Sequence, residues 1–238
     1  MKKAAICFRG AMAKIKSGHF SADLYTDKPY VDYRPVKIGL DIHLIKNNPD
    51  YKFDFFIHCW NEDLEEELIN LYKPVSYKFE SQLPYKNIIE KNLCETYGKT
   101  AQRLSISKVV ELYKEYNKIY DKIIICRPDV LLYKNLDLNL YEENNVYVNS
   151  NIWEDFHFIQ NHNNTLKFLN VINYNLSIPE YVHRIMNKKL IADDIKCGYH
   201  QEVIRKIKSA CIDRLNYTPD FFKTYELDAE YINQLTHK

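Results

Sequence analysis

Three short clusters in this chain have the residue types to do chemistry, and each directly follows an apolar run. Arg127-Pro128-Asp129 follows Ile123 to Cys126, Arg9-Gly10 follows Ala4 to Phe8, and Cys59-Trp60-Asn61 closes the run Tyr51 to His58. A guanidinium takes two phosphate oxygens in a fork, and a carboxylate ligates a hard divalent cation. An arginine and an aspartate side by side therefore suit a diphosphate and its metal. A fourth cluster, Trp153-Glu154-Asp155-Phe156, sets two carboxylates before a short apolar stretch. A carboxylate within reach of a hydroxyl can act as its general base. His157 is the reserve candidate for that step. Gln102, Arg103 and Ser105 stand near a helix start, and His200 and Glu202 are further candidates for acceptor or phosphate contact.

Each cluster also has a plainer reading. Arg127-Pro128-Asp129 fits a type I turn with proline at its second position. Arg9-Gly10 fits a strand-exit turn. His58 and Trp60 can simply pack at a strand end, and Glu154-Asp155 can be solvated surface charge. Gln102, Arg103 and Ser105 can cap a helix or face solvent.

The elements that must position these residues follow from periodicity. Ala4 to Phe8, Tyr51 to His58, Val75 to Phe79, Ile123 to Cys126, Val146 to Val148 and Phe156 to Ile159 read as strands, being short apolar or alternating runs rich in β-branched and aromatic residues. The run ending at Cys126 is apolar throughout, as in a strand buried on both faces. Helix-compatible residues follow Gly10, and helices are expected over Val36 to Lys46, Asp63 to Tyr72 and Asn164 to Tyr174. Pro74 ends the second of these. The strongest helix is expected from a Thr100 cap to Lys118, with Ile106, Val109, Val110, Tyr113 and Ile119 on one face. Residues 84–97 are ambiguous. The C-terminal third reads as helical, with Pro179 in a first turn and Ile204, Ile207, Cys211 and Leu215 at helical spacing.

Strands alternating with helices imply βαβ units and a mostly parallel sheet. The expected fold is α/β, a Rossmann-type mixed sheet flanked by helices. The expected organisation is a nucleotide-binding and catalytic region over 1–175 and a helical extension over 176–238 packed on the same domain. In a parallel sheet the three strand-end clusters converge on the C-terminal edge, where ligands of open α/β sheets bind.

Composition narrows the function. With 33 basic against 32 acidic residues the formal charge is +1, so no whole-molecule field favours nucleic acid or an anionic membrane. Five glycines among 238 residues leave neither GxGxxG nor GxxxxGK[ST], which excludes a glycine-rich phosphate loop. Six cysteines without CxxC pairing argue for reduced thiols and against a cysteine metal cluster. No apolar run reaches transmembrane length, and Arg9 interrupts the N-terminal run too early for a signal peptide. The expected location is the cytoplasm.

In order and spacing these pieces resemble a small GT-A-type, nucleotide-sugar-dependent glycosyltransferase of the kind found in bacterial surface-polysaccharide loci and large DNA viruses. The resemblance runs over about residues 4 to 170. It is carried by Ile6-Cys7-Phe8-Arg9-Gly10, Phe55-Phe56-Ile57-His58-Cys59-Trp60, the helix from Gln102 to Tyr116, Tyr120-Asp121, and Arg127-Pro128-Asp129. The last stands where such enzymes carry Asp-x-Asp. The resemblance implies that Arg9 and Gly10 border the nucleotide, with Trp60 and Gln102 beside it, and that Arg127 neutralises diphosphate charge. It implies that Asp129 ligates Mn²⁺ or Mg²⁺, and that Glu154 and Asp155 lie on the acceptor side with Asp155 as base. The donor would be a nucleoside diphosphate sugar, with UDP favoured, and the acceptor a glycan hydroxyl in surface or capsular polysaccharide synthesis. A membrane-linked acceptor would bring the protein to the inner face of the membrane as a peripheral partner. Two alternatives stay open: a nucleotidyl- or phosphotransferase acting on a sugar phosphate, and a non-catalytic binding domain of a polysaccharide assembly complex.

Overall fold

Strand β1 (Lys2–Gly10) lies in the interior of the sheet, with a strand on either side, in the computed structural model, and all seven of its residues from Ala4 onward are buried. The structure describes residues 1–12, 14–16, 19–21, 30, 33–93, 96–132, 134–148, 157–186, 189–191 and 197–199. After β1 come a two-stranded hairpin, β2 (Lys14–Lys16) and β3 (His19–Ser21), then helix α1 (Arg34–Leu40), which continues as a π-helical turn over Asp41–Ile45. Strand β4 (Tyr51–Cys59), helix α2 (Glu65–Tyr72), strand β5 (Ser76–Phe79) and the short helix α3 (Lys86–Lys91) follow. The long helix α4 (Tyr97–Glu115) leads into β6 (Lys122–Cys126) and β7 (Val130–Leu132). The chain then forms β8 (Val146–Val148), β9 (His157–Gln160), α5 (His162–Lys167), α6 (Ile178–Tyr181), β10 (Lys189–Ile191) and β11 (Cys197–Tyr199).

Among the described residues the main sheet has seven strands in the order β10-β8-β9-β6-β1-β4-β5. The pairs β1–β4, β1–β6, β4–β5 and β8–β10 are parallel, while β6–β9 and β8–β9 are antiparallel. This is a mixed, mostly parallel Rossmann-type sheet flanked by helices. Its winding positions the site. From β1 the chain moves outward through β4 to β5, then crosses back to lay β6 on the other side of β1. The strand order therefore reverses between β1 and β6, a topological switch point, and in open α/β sheets ligands bind at the carboxyl ends beside such a point.

Alternation along the strands builds two cores. Ile6, Phe8, Ile57, Ile124 and Ile159 point to one face, with Val36 and Leu40 of α1 and Leu68 and Tyr72 of α2. Ala5, Cys7, Phe56, Ile123, Ile125 and Phe158 point to the other, where Ile106, Val109, Val110 and Tyr113 of α4 cover them. Strand β6 is buried along its whole length, so its unbroken apolar run reflects cover on both faces.

Several expected elements differ in detail. The α4 cap is Thr96, whose side chain accepts from the Lys99 amide, and not Thr100, which sits inside the first turn. The helix stops at Glu115 because Asn117 takes a left-handed conformation (φ 55°), a residue type that tolerates it. Ile119 therefore lies beyond the helix and is 72% exposed, not part of the buried face. The residues after Gly10 include a hairpin where helix-compatible sequence was read. Past residue 176, α6 and the π-helical turn Val182–Met186 are joined by two short strands. One of these, β10, extends the main sheet, and the other, β11, pairs with β7.

Candidate functional site

The three parallel strands β6, β1 and β4 are neighbours, so their ends meet at one edge. Phe8 is level with Cys126, and Arg9 with His58. Arg9 and Arg127 thus follow one step further along two adjacent strands, at the switch point. His157, which opens the antiparallel β9, is level with Cys126 and reaches the same edge. Of the residues singled out in the sequence, the structure brings together Arg9, Gly10, His58, Trp60, Arg127, Asp129 and His157. Trp153, Glu154, Asp155, His200 and Glu202 lie outside the described residues.

Arg127 and Asp129 close a tight turn between β6 and β7. Arg127 donates from Nε to Asp129 Oδ1 at 2.8 Å and from NH2 to Oδ2 at 2.6 Å. Pro128 between them fixes one backbone dihedral of the turn. Both residues are buried, Arg127 at 3% and Asp129 at 1% exposure, and Arg9 is wholly buried. The turn reading and the charged-cluster reading of Arg-Pro-Asp thus describe the same object. Burial raises the Cys126 thiol to about 12, with the Arg9 charge acting against it. Burial lowers the His157 imidazole to about 4, and Arg9 pushes the same way. His157 is accordingly neutral near pH 7 beside a permanent cation.

Gly10 has φ +95°, a conformation that side chains disfavour. A Cβ built there would meet Ser105 Oγ of α4 at 3.6 Å, an ordinary contact. The backbone angle, rather than crowding, is what calls for glycine. Ser105 Oγ donates to the Gln102 carbonyl at 2.8 Å, so the second turn of α4 packs beside Gly10, with Gln102 half-buried there. Arg103 is committed elsewhere: its guanidinium donates to the carbonyls of Tyr174 and Asn92, tying α4 to the chain on either side.

Trp60 follows β4 and is buried at 5% exposure in a small cluster with Ala11, Ile89, Ala101 and Leu104. Its indole lies edge-on to His58, with ring centroids 4.4 Å apart. His58 Nε2 and Glu80 Oε1 are 3.1 Å apart, and Glu80 also accepts from Tyr85 at 2.8 Å and pairs with Lys78 at 2.6 Å. Burial drives the His58 pKa down despite the carboxylate, leaving a neutral ring that donates to Glu80.

The sequence reading gave Asn61 no role of its own, and the structure does. Its Oδ1 accepts from the Met12 amide at 2.7 Å and from the Cys59 thiol at 3.5 Å, while its Nδ2 donates to Tyr30 Oη at 3.1 Å. Tyr30 in turn donates to the Asp63 carboxylate at 2.8 Å. Together with the bond from the Trp60 amide to the Gly10 carbonyl at 3.3 Å, this clamps the exit of β1 to the exit of β4. The available signal was an asparagine directly after an apolar strand, a position where side-chain to backbone bonding is common.

Both Asp129 oxygens are engaged by Arg127, a second guanidinium stands at the same edge, and no group of three histidines, cysteines or carboxylates could hold a metal among the described residues. These residues do not fit a Mn²⁺ or Mg²⁺ site, which would need several oxygen ligands. No helix among the described residues is long and apolar enough to cross a membrane.

No family model matches the chain, and no curated protein matches it either. Among solved structures, the chain is similar to the CTP:phosphocholine cytidylyltransferase from Streptococcus pneumoniae, at 13% identity and a TM-score of 0.46. The match covers 89% of this chain and 100% of that one.

Proposed function

We propose that this chain is a nucleotide-dependent transferase that binds the phosphates of its donor at the β1–β6 switch point. The observation that carries the reading is the convergence of two buried arginines, Arg9 and Arg127, on the carboxyl ends of adjacent parallel strands where the strand order reverses. A buried guanidinium is a strong phosphate binder, because its fork matches phosphate oxygens and it is weakly hydrated. Gly10 permits close backbone approach beside it. Within that class the reading is glycosyl transfer from a nucleoside diphosphate sugar to a glycan hydroxyl. The ordered strand-end motifs shared with GT-A-type enzymes support it, with Arg-x-Asp in place of Asp-x-Asp. Trp60 and Gln102 flank the donor in this reading, and Glu154 and Asp155 supply the acceptor-side carboxylates, with Asp155 taking the acceptor proton.

The same guanidinium pair serves a nucleoside triphosphate as well, so nucleotidyl transfer onto a sugar phosphate is the second reading. Two incubations separate them. Glycosyl transfer releases a nucleoside diphosphate from a nucleotide sugar; nucleotidyl transfer releases pyrophosphate from a triphosphate and a sugar phosphate. A ligand present at 100 times its Kd stabilises the fold by about 2.7 kcal/mol, so a panel of nucleotide sugars and triphosphates read by thermal unfolding identifies the donor first. A folded protein whose melting temperature moves with none of them refutes both readings.

A further inference from the structure

We infer that Asp129 anchors Arg127 instead of ligating a metal, and that the two guanidiniums of this edge take the charge of the bound diphosphate without a divalent cation. The inference rests on the nucleotide-binding reading above and deepens it. Its basis is the geometry of the turn. Two oxygens of one carboxylate receive two N–H groups of one guanidinium at 2.8 and 2.6 Å, with both side chains almost fully buried. A fork of this kind fixes the plane of the guanidinium as well as its charge. A cation arriving at Asp129 would have to displace Arg127 from both oxygens while standing between two arginines.

The charge at the edge points the same way. Asp129 offsets one of the two guanidiniums, and Arg9 adds a further positive charge close enough to depress His157. His157 itself stays neutral, so it adds neither a competing anion nor a third cation. A pre-paid positive edge of this kind suits a diphosphate directly, and it repels a divalent ion that arrives alone. The fork to the carboxylate uses the planar guanidinium of arginine, a geometry that lysine, a single point charge, does not offer.

The test uses the full chain and UDP, followed by GDP, CDP and ADP, titrated calorimetrically in EDTA and again in millimolar Mn²⁺. Mn²⁺ is also titrated alone and followed by its electron paramagnetic resonance signal. The inference predicts that at least one diphosphate binds in EDTA, that Mn²⁺ changes its Kd by less than about threefold, and that Mn²⁺ alone is not taken up. It also predicts that Asp129→Asn weakens binding by more than about tenfold, equally with and without Mn²⁺, because it releases a buried charge pair. Arg127→Lys, which keeps the charge and loses the fork, weakens binding in the same metal-independent way. Binding that requires Mn²⁺ and disappears in EDTA overturns the inference while leaving the nucleotide reading intact. A folded protein that binds no diphosphate in either condition overturns both. The comparison of EDTA with Mn²⁺ needs no variant, so it decides the question even if Asp129→Asn fails to fold.

Discussion

Replacing Asp129 with asparagine removes one charge and almost no volume, which makes it the sharpest perturbation of the strand edge. In the parent both carboxylate oxygens accept from Arg127, with side-chain exposures of 4% for Arg127 and 0% for Asp129. The variant leaves the Arg127 guanidinium buried without its carboxylate, at the end of the strand beside that of Arg9. Breaking a buried pair from one side costs about 3–5 kcal/mol. At about 2–4 °C per kcal/mol for a chain of this size, the melting temperature should fall by roughly 6–20 °C. Arg127→Met should cost a similar amount by stranding the carboxylate, softened by Arg9. The double variant removes both charges, and a buried pair replaced as a unit is often close to neutral. The double should therefore be more stable than the sum of the singles by at least about 2 kcal/mol, well beyond the few tenths expected of independent sites. The assay is denaturant and thermal unfolding of all four proteins. Single substitutions within about 0.5 kcal/mol of the parent, or costs that simply add in the double variant, would refute the argument that this pair holds the turn.

Other expectations follow from the same region. His157 has a folded-state pKa of about 4 against an ordinary 6.5, so the unfolded chain takes up a proton first as pH falls. Its contribution is fully present above pH 6.5 and is lost progressively down to about pH 4, amounting to about 3 kcal/mol from a shift of about 2.5 units. Unfolding measured across that range should show a slope that His157→Gln removes; an unchanged slope would contradict the burial argument. Gly10→Ala should destabilise by about 1–3 kcal/mol through the positive φ. Ser105→Gly should not rescue it, because the Cβ contact at 3.6 Å is not the cause; rescue would point to crowding. Asn61→Ala should cost about 1–3 kcal/mol by leaving the buried Met12 amide without its acceptor. Donor Kd should rise in the same variant as the β1 exit loosens, and unchanged donor affinity would limit Asn61 to stability.

The features most legible in the sequence were those set by burial. β6 is apolar from Ile123 to Cys126 because both faces of the sheet are covered, β1 is apolar from Ala4 to Phe8 for the same reason, and β4 alternates before its buried second half. Their alternation with helices implied a parallel sheet, and from that the meeting of Arg9, His58 and Arg127 at one edge followed. The strand order itself, with its reversal between β1 and β6, depends on long-range pairing and has no local signal. Helix ends were less legible for a physical reason. Thr96 and Thr100 are one turn apart with the same chemistry, and only the chain direction before Tyr97 selects the first as cap. Ile119 fits the spacing of the buried face, but Asn117 ends the helical path ahead of it. The three-residue strand Val146–Val148 was visible because all its residues favour strands, whereas Lys189–Ile191 and Cys197–Tyr199 include a lysine and a glycine and carry too little pattern to be seen. At the site, an arginine and an aspartate two apart read as phosphate and metal ligands. That they bind each other depends on a turn geometry the sequence does not display.

In the proposed function Arg9 and Arg127 form the phosphate site of a nucleotide donor. The most direct measurement is a crystal structure of the chain with whichever nucleoside diphosphate most raises its melting temperature. Both phosphates are expected at the carboxyl ends of β1 and β6, within hydrogen-bond reach of the two guanidiniums, with Asp129 still paired to Arg127. A diphosphate bound at another face of the sheet, with Arg9 and Arg127 undisturbed, would contradict it.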